Sequence, residues 1–425
     1  MRVGIGILGG GTVGGTLARK LIEDQKVIAA KSGIELELVR VAVRDTSKAR
    51  PFPKNLLTDD PMAVISDPDV HLVVEVMGGL EPARSLVLAA LEAGKPVVSA
   101  NKELIAAEGP ILFQTAAAAG VSFLFEAAVG GGIPLIRPLS ESLAGEPLTA
   151  ILGIVNGTTN FILTAMAEEG RPYDDVLAEA QSLGYAEADP TADVGGGDAA
   201  AKAAILAGLG FGVWVGSDRV YKEGIDGIDV TDIAAARQLG YVVKLLAIAD
   251  RTEAGVCVRV HPALVPLDHP LAAIRGANNA VFVAGPAVGE LLFSGPGAGG
   301  EPTATAVLGD VIAAARELLS GTQVAPRIRF GDGQIVDFDQ ATTKWYLRLE
   351  VADAPGVLAK IAAMFGDHDV SIMSLWQEGR GDDATLLLVT HDARESDLRA
   401  AAAGLDALDV VKQVAAAIRV ISPQP

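Results

Sequence analysis

At 425 residues the chain is too long for one hydrophobic core, and its length points to roughly two to three domains. A net charge of −19, an aromatic content of 4% and charges that break every apolar run well short of ~18 residues argue against nucleic acid and membrane as partners. A single cysteine, Cys257, excludes an intrachain disulfide and a cysteine-cluster metal site; with an opening MRVGIGILGG that lacks signal-peptide character, it points to a soluble cytoplasmic protein.

Residues 1–127 alternate continuous apolar runs with amphipathic stretches. Strands are predicted at Val3–Leu8, Leu36–Val43, Val70–Val76, Val97–Ala100 and Val121–Phe125, and helices at Thr12–Ala30, Glu81–Ala93 and Glu103–Ala119. Val/Ile/Leu runs separated by helices mark a parallel sheet covered on both faces, so this is a doubly wound α/β (Rossmann) domain that binds a dinucleotide. Residues 128–300 shift to Gly-rich turns, long helices and strands, an α+β substrate-binding and dimerisation domain. A helix is expected within 301–322, at Thr303–Ser320, and 323–343 reads as a linker. The final stretch, 344–425, orders its elements as βαββαβ: strand Trp345–Val351, helix Val357–His368, strand Val370–Glu378, turn GRGDD, strand Ala384–His391, helix Glu395–Leu408 and a strand near Val410–Val420. That order predicts a ferredoxin-like fold.

Gly9, Gly11 and Gly14 form GxGxxG between the first strand and the first helix. The glycines allow a tight turn and close approach of a pyrophosphate, and the helix N-terminus, with Thr12 and Val13, offers free N–H groups and positive dipole. Alone the motif is weak; between a strand and a helix in an α/β pattern it is strong. The second strand ends in Val-Ala-Val-Arg44, where a carboxylate would bind the ribose of NAD. Arg44 suits the 2′-phosphate of NADP, while Asp45 beside it leaves NAD open and a solvated loop arginine is the plainer alternative. After later strands, Met77 and Gly78 let a flat ring approach the backbone, and Ser99, Asn101 and Lys102 stand where ligands of open α/β sheets bind.

The densest constellation is LGYAEADPTADVGGGDAAAK, where Glu187, Asp189, Asp193, Asp198 and Lys202 surround a Gly-rich turn opening an apolar helix. Asp198 and Lys202 are four apart and share a helix face; an exposed pair there would be worth a few tenths of a kcal/mol. The residues after Lys202 are apolar, which favours a functional pair at the mouth of a buried helix. Hydride chemistry at a carbonyl needs a proton donor. His71, His261, His269, His368 and His391 all lie outside these motifs, so lysine is the natural candidate.

Taken together, GxGxxG, VAVRD at Val41–Asp45, VVSANK at Val97–Lys102, FEAAVGGGIP at Phe125–Pro134, GIVNGTTNFIL at Gly153–Leu163, the stretch Leu183–Lys202 and GPGAGGEPTATAV at Gly295–Val307 resemble homoserine dehydrogenases, collinearly over about 300 residues. The resemblance implies reversible reduction of L-aspartate 4-semialdehyde to L-homoserine in threonine, methionine and isoleucine biosynthesis. It implies Lys202 as general acid/base, Lys102 as the second lysine touching cofactor and carbonyl, Glu187 and Asp198 as ligands of the substrate ammonium, and Gly184 as a cofactor contact. It also implies a monovalent cation, sodium by analogy, held by Glu126 and the carbonyls of Val129, Gly131 and Ile133, and a homodimer or homotetramer.

The C-terminal unit, with DAPGVL at Asp353–Leu358 and Gln377 after its second strand, resembles an ACT domain. That implies an amino-acid effector, L-threonine, near Asp353, Gly356, Val357 and Gln377. Three rivals fit less well. ACT-bearing hydroxyacid or prephenate dehydrogenases use an Arg/His pair that these motifs lack. A thioester-forming semialdehyde dehydrogenase would need a base beside Cys257, which sits in a strand pattern. A catalytically silent NADP-binding sensor would not need the Lys202, Asp198 and Glu187 set.

Overall fold

The computed structural model describes residues 2–321, 328, 330–379 and 384–421. Part of the expected linker (323–327 and 329), residue 322 and four residues of the expected GRGDD turn (380–383) lie outside them. The chain folds into two compact units, one of residues 1–151, 201–219 and 283–333, the other of 152–200, 220–282 and 334–425.

The first unit begins β1 (Arg2–Leu8), α1 (Thr12–Glu23), α2 (Gln25–Ser32), β2 (Glu35–Ala42), β3 (Leu57–Thr58), α3 (Pro61–Ser66) and β4 (Leu72–Glu75). It continues α4 (Ala83–Glu92), β5 (Val97–Ser99), α5 (Lys102–Ala119) and β6 (Phe123–Leu124). The strands form one parallel sheet in the order β3-β2-β1-β4-β5-β6, the doubly wound arrangement expected. Strand order reverses between β1 and β4, so the crevice at their carboxyl ends is where a nucleotide belongs. One long helix was expected over Thr12–Ala30; the chain instead leaves the helix at Asp24, with φ −96° and ψ 10°, and restarts as α2. Aspartate competes for backbone groups inside helices, which explains the break. The short β3 and α3 were not expected. Asp60 caps α3 by accepting from Met62 N at 2.9 Å, and Pro61 fills its first position.

The core of this unit joins Ile5, Ile7, Val41 and Val74 of the sheet to Ala304, Val307, Val311 and Ala314 of the helix Gly300–Ser320. Burying each Val, Leu or Ile contributes about 1.5–3 kcal/mol. That helix lies along α1, and Lys20 Nζ reaches Glu301 at 2.8 Å.

In the second unit a sheet runs through strands Tyr241–Thr252, Gly255–Pro266, Val411–Val420, Thr342–Val351, Ala384–Thr390 and Ile372–Glu378 in that spatial order. The first two form an antiparallel hairpin. The last four, with helices Val357–Asp367 and Glu395–Asp406, make the expected βαββαβ fold, closed over Leu347, Leu349, Ile361, Phe365, Leu388 and Leu398. Its final strand then joins the hairpin in parallel, Ala263 opposite Arg419 and Leu264 opposite Val420. Polar clamps secure this junction. Arg348 grips the buried Asp232 with two bonds of 2.7 and 3.0 Å, and Arg419 pairs with Glu223. The stretch expected as irregular is tied down as well: Val256 N donates to Gln334 O and Val336 N to Val256 O, both at 2.9 Å. Among the described residues, no helix is long and apolar enough to cross a membrane.

Candidate active site

The loop after β1 is shaped by backbone. Gly9 has φ +106°, and a Cβ there would lie 2.7 Å from Val76 O; one on Gly14 would lie 1.9 Å from Gly9 O. Gly11, the residue before α1, makes no side-chain cap, so the first N–H groups of α1 at Thr12 and Val13 face outward. A cleft of about 1040 Å³, part of it open solvent, runs from Gly9–Gly11 past Arg44, Lys48 and Arg50 to Met77 and Pro82. Arg44 is exposed on this cleft. Asp45 lines the same cleft; its carboxylate accepts from Ser47 Oγ at 2.6 Å and Ser47 N at 2.9 Å, and the hydroxyl bond first of all holds its pKa below the usual value.

Two groups in this region carry more than sequence reasoning gave them. Arg50 donates to the Gly10 carbonyl, bracing the glycine loop. Glu75, wholly buried at the end of β4, accepts from Met77 N at 2.8 Å, Gly78 N at 3.3 Å and Ser99 Oγ at 2.6 Å. Ser99 is wholly buried and its hydroxyl is committed to Glu75, so its hold on the Met77–Gly78 turn is indirect. Lys102 opens α5, half-buried, behind Asn101, which accepts from Leu104 N at 3.1 Å and donates to Gly79 O at 2.7 Å.

The segment singled out for a cation lies in the same unit. Glu126 is buried, and its Oε1 accepts from Leu135 N at 2.5 Å and Ile136 N at 2.7 Å, while Oε2 accepts from Arg137 N at 3.1 Å. It therefore closes the loop on itself. Asp310 accepts from Glu126 N at 2.7 Å and from Arg137 Nη2 at 2.5 Å, and burial pushes its pKa up to about 6 against these two opposing bonds. Gly130 and Gly131 have φ +72° and +54°, and among the described residues no hydrogen bond ends on the carbonyls of Val129, Gly131 or Ile133. Backbone carbonyls and a carboxylate oxygen are the donor types a hard monovalent cation takes.

The second unit carries the acidic turn. Asn156 is buried at the N-terminus of the helix Gly157–Glu169 and caps it, its Oδ1 accepting from Thr159 N at 2.9 Å. Its Nδ2 bridges two carboxylates, donating to Asp193 Oδ1 at 2.7 Å and Asp198 Oδ2 at 2.9 Å. Thr158 Oγ1 donates to Tyr185 O at 2.5 Å, which ties the loop 183–190 to the same helix start. Asp198 stands in the first turn of the helix Gly197–Phe211, where negative charge is favoured, and Lys202 one turn later. Both are half-buried. Glu187 is exposed on the loop and held through its own carbonyl, which accepts from Gln181 Nε2 at 3.1 Å. Gly184, at φ +77°, is an exposed left-handed turn residue. Asn156 received no role from the sequence, although Asn three residues before Thr and ahead of a helical run is an N-cap signal.

In the C-terminal fold, Gln377 Nε2 donates to Asp353 Oδ1 at 3.1 Å, bringing two of the expected effector residues together. Gly356, at φ +92°, precedes the helix Val357–Asp367 without a side-chain cap, and Val357 is buried.

A doubly wound sheet with a glycine loop at its switch point, a helix that carries Asp198 and Lys202 one turn apart and a βαββαβ fold at the C-terminus are the parts of an NAD(P)-dependent oxidoreductase with an appended ferredoxin-like domain. Family models agree: residues 9–126 match the homoserine dehydrogenase NAD-binding domain, 134–312 homoserine dehydrogenase, and 345–409 the ACT domain. The chain is 49% identical to the homoserine dehydrogenase of Corynebacterium glutamicum over 98% of its length and 95% of that protein. It is 47% identical to that of Mycobacterium tuberculosis, over 98% and 97%. A crystal structure of the Thiobacillus denitrificans homoserine dehydrogenase superposes with a TM-score of 0.93 at 42% identity, covering 99% of this chain and 98% of that one. A hyperthermophilic archaeal homoserine dehydrogenase in complex with NADPH matches 75% of this chain and 98% of its own, at 30% identity and a TM-score of 0.63. The chain belongs to the homoserine dehydrogenase family, NAD(P)-dependent enzymes that interconvert L-homoserine and L-aspartate 4-semialdehyde.

Proposed function

We propose that this homoserine dehydrogenase uses NADP, with Lys202 as its general acid and base and Asp198 and Glu187 as ligands of the substrate's α-ammonium. The observation that carries the reading is the pair of hydrogen bonds that Asn156 donates to Asp193 and Asp198, which fixes one carboxylate ahead of the helix turn that bears Lys202. An ammonium group needs an oriented anion, and an amide donor orients without neutralising it. The nicotinamide, when bound, supplies or accepts the hydride. Lys202 donates a proton to the carbonyl oxygen as it becomes an alkoxide in reduction, and removes it from the hydroxyl in oxidation. Lys102 serves the carbonyl and the cofactor as the second lysine. The turn Leu183–Gly184 and the loop Gly9, Gly11, Thr12, Val13 and Gly14 hold the nucleotide, with Met77 and Gly78 beside the ring and Ser99 supporting them through Glu75.

Arg44 is the group for the 2′-phosphate, because it is exposed on the cleft while Asp45 Oδ1 is engaged by Ser47. A monovalent cation, sodium, sits on the Glu126, Val129, Gly131 and Ile133 loop, where it would rigidify the chain between β6 and the helix start at residue 136. L-threonine binds at Asp353, Gly356, Val357 and Gln377 and inhibits. The enzyme works in the cytoplasm as a homodimer or homotetramer. Homoserine oxidation measured with NADP and with NAD tests the cofactor assignment. Arg44→Ala should raise the NADP KM about 10- to 150-fold, the equivalent of losing a charged hydrogen-bonded contact of roughly 1.5–3 kcal/mol, and leave NAD unchanged. Equal loss with both nucleotides would show that Arg44 is structural.

A further inference from the structure

The segment Tyr221–Ile225 packs backbone to backbone against the turn that precedes Asp198. Glu223 N donates to Val260 O at 2.8 Å and Ile225 N to Val194 O at 2.9 Å. A Cβ on Gly224 would lie 2.4 Å from Val194 O and 2.8 Å from Gly195 Cα, and one on Gly196 would lie 3.4 Å from Glu223 O. With no side chain between them, a shift of one segment displaces the other, because packed interiors transmit strain. The turn Val194–Gly196 leads directly into the helix whose first turn holds Asp198.

The side chain of Glu223 leaves this contact in the opposite direction. It accepts from Tyr221 Oη at 2.9 Å and from Arg419 Nη1 on the final strand. Arg419 is 4% exposed, and it is held mainly on the C-terminal fold: Nη2 reaches Glu395 Oε1 at 2.7 Å and Nε reaches it at 3.2 Å, while Nη2 also donates to Tyr221 Oη at 3.5 Å. Glu395 is wholly buried and also accepts from Thr343 Oγ1 at 2.7 Å and Trp345 Nε1 at 3.0 Å, while the guanidinium lies 4.8 Å from the Trp345 ring centre. One end of this chain of bonds is thus multiply held on Glu395, and the other is the Glu223 carboxylate with the Tyr221 hydroxyl beside it.

We propose that Glu223 is a positioning residue for the amino-acid substrate: anchored by Arg419 of the C-terminal fold, it sets the turn Val194–Gly196 and through it the carboxylate of Asp198. Glu223 touches no reacting atom. Its effect is on where Asp198 stands, and the same bonds give a rearrangement of the C-terminal fold a direct mechanical route to the substrate turn. The inference rests on the reading of Asp198 as the ammonium ligand.

The test is steady-state homoserine oxidation with NADP by full-length Glu223→Gln, Arg419→Lys and the double variant, with Asp198→Ala as reference and a melting curve for each. Lysine keeps the charge beside Glu395 but lacks the fork that spans two carboxylates. Each single variant should raise the homoserine KM about tenfold with the NADP KM within about twofold, and the double variant should be no worse than the worse single, as expected of coupled partners. If Asp198→Ala raises the homoserine KM but neither single variant does, the positioning role is wrong and the Asp198 reading stands. If Asp198→Ala also leaves it unchanged, the Asp198 reading itself fails. A parallel rise in both KM values with a lowered melting temperature overturns the proposal in favour of a purely structural role.

Discussion

Asn156 offers the sharpest perturbation of the substrate site, because one side chain does two separable jobs. Its Oδ1 caps a helix and its Nδ2 serves Asp193 and Asp198, all from a buried position. Asn156→Ala would remove a cap worth about 0.5–2 kcal/mol and two bonds to charged acceptors worth about 1.5–3 kcal/mol each, mixing stability with binding. Asn156→Asp separates them. Aspartate caps as well as asparagine, so the helix start survives, but the bridging donor becomes a third carboxyl. At about 4 Å each like-charge pair costs about 1 kcal/mol at a water-like dielectric and more as the site is desolvated. Two such pairs raise the introduced carboxyl's pKa by roughly 1.5 or more above the usual value of about 4, and it takes up a proton as the pH falls. Protonated, it can donate to only one of its two neighbours; ionised, to neither. The homoserine KM of Asn156→Asp should therefore rise about 10- to 150-fold at pH 9, from the loss of roughly 1.5–3 kcal/mol of orientation, and recover partly towards pH 6. Kinetics across that range relative to wild type, with melting temperatures alongside, read this directly. A homoserine KM within twofold of wild type at pH 9 would refute the argument.

Lys202→Ala should lower kcat by roughly 10²–10⁴ while the protein stays folded, and near-wild-type turnover would shift the role to Lys102. Asp310 gives a stability signature. Burial holds its folded pKa at about 6, above the usual carboxylate value near 4, so the native state binds more protons than the unfolded chain between those values. Its contribution falls as pH rises from about 4 to about 6 and is flat above, so the melting temperature of wild type relative to Asp310→Asn should decline across that window; parallel curves would contradict the shift. Asp353→Ala should abolish inhibition by millimolar threonine with basal activity intact, since Asp353 is paired to Gln377 on an exposed turn. Retained inhibition would move the effector site elsewhere. Deleting the C-terminal fold is a poorer test, because it strips Arg348 from the buried Asp232, and breaking a buried pair costs about 3–5 kcal/mol.

The parts of this molecule that were legible in its sequence are those written in local patterns. The parallel sheet followed from continuous Val/Ile/Leu runs between helices, and the βαββαβ order from strand and helix periods near the C-terminus. The glycine loop could be placed because GxGxxG sat between a strand and a helix. What escaped has a common physical character: it depends on partners distant in the chain. Glu75, given no role in the sequence analysis, gathers Met77, Gly78 and the Ser99 hydroxyl 24 residues away. Ser99 looked like a ligand contact for the same reason in reverse. Arg50 stands among loop cations in the sequence, and only the fold brings its guanidinium to the Gly10 carbonyl.

The C-terminal junction makes the same point more strongly. An ACT-like segment behind an irregular stretch reads as a separable module, since its hydrophobic pattern closes a core by itself. Nothing in the spacing of Arg348, Glu395 or Arg419 distinguishes them from solvated charges on strands and helices, where ion pairs contribute little. Only the fold reveals that Arg348 and Arg419 are buried or nearly so, that each meets a carboxylate of the preceding segment, and that the final strand pairs with the hairpin of residues 241–266. Buried pairs of this kind add little net stability over apolar packing but punish misalignment severely, because an unpaired charge is left without solvent. They therefore fix one register of the C-terminal fold against the substrate half of the same unit. Should the C-terminal fold bind an amino-acid effector as proposed, such a register is what lets a small displacement there reach the substrate turn.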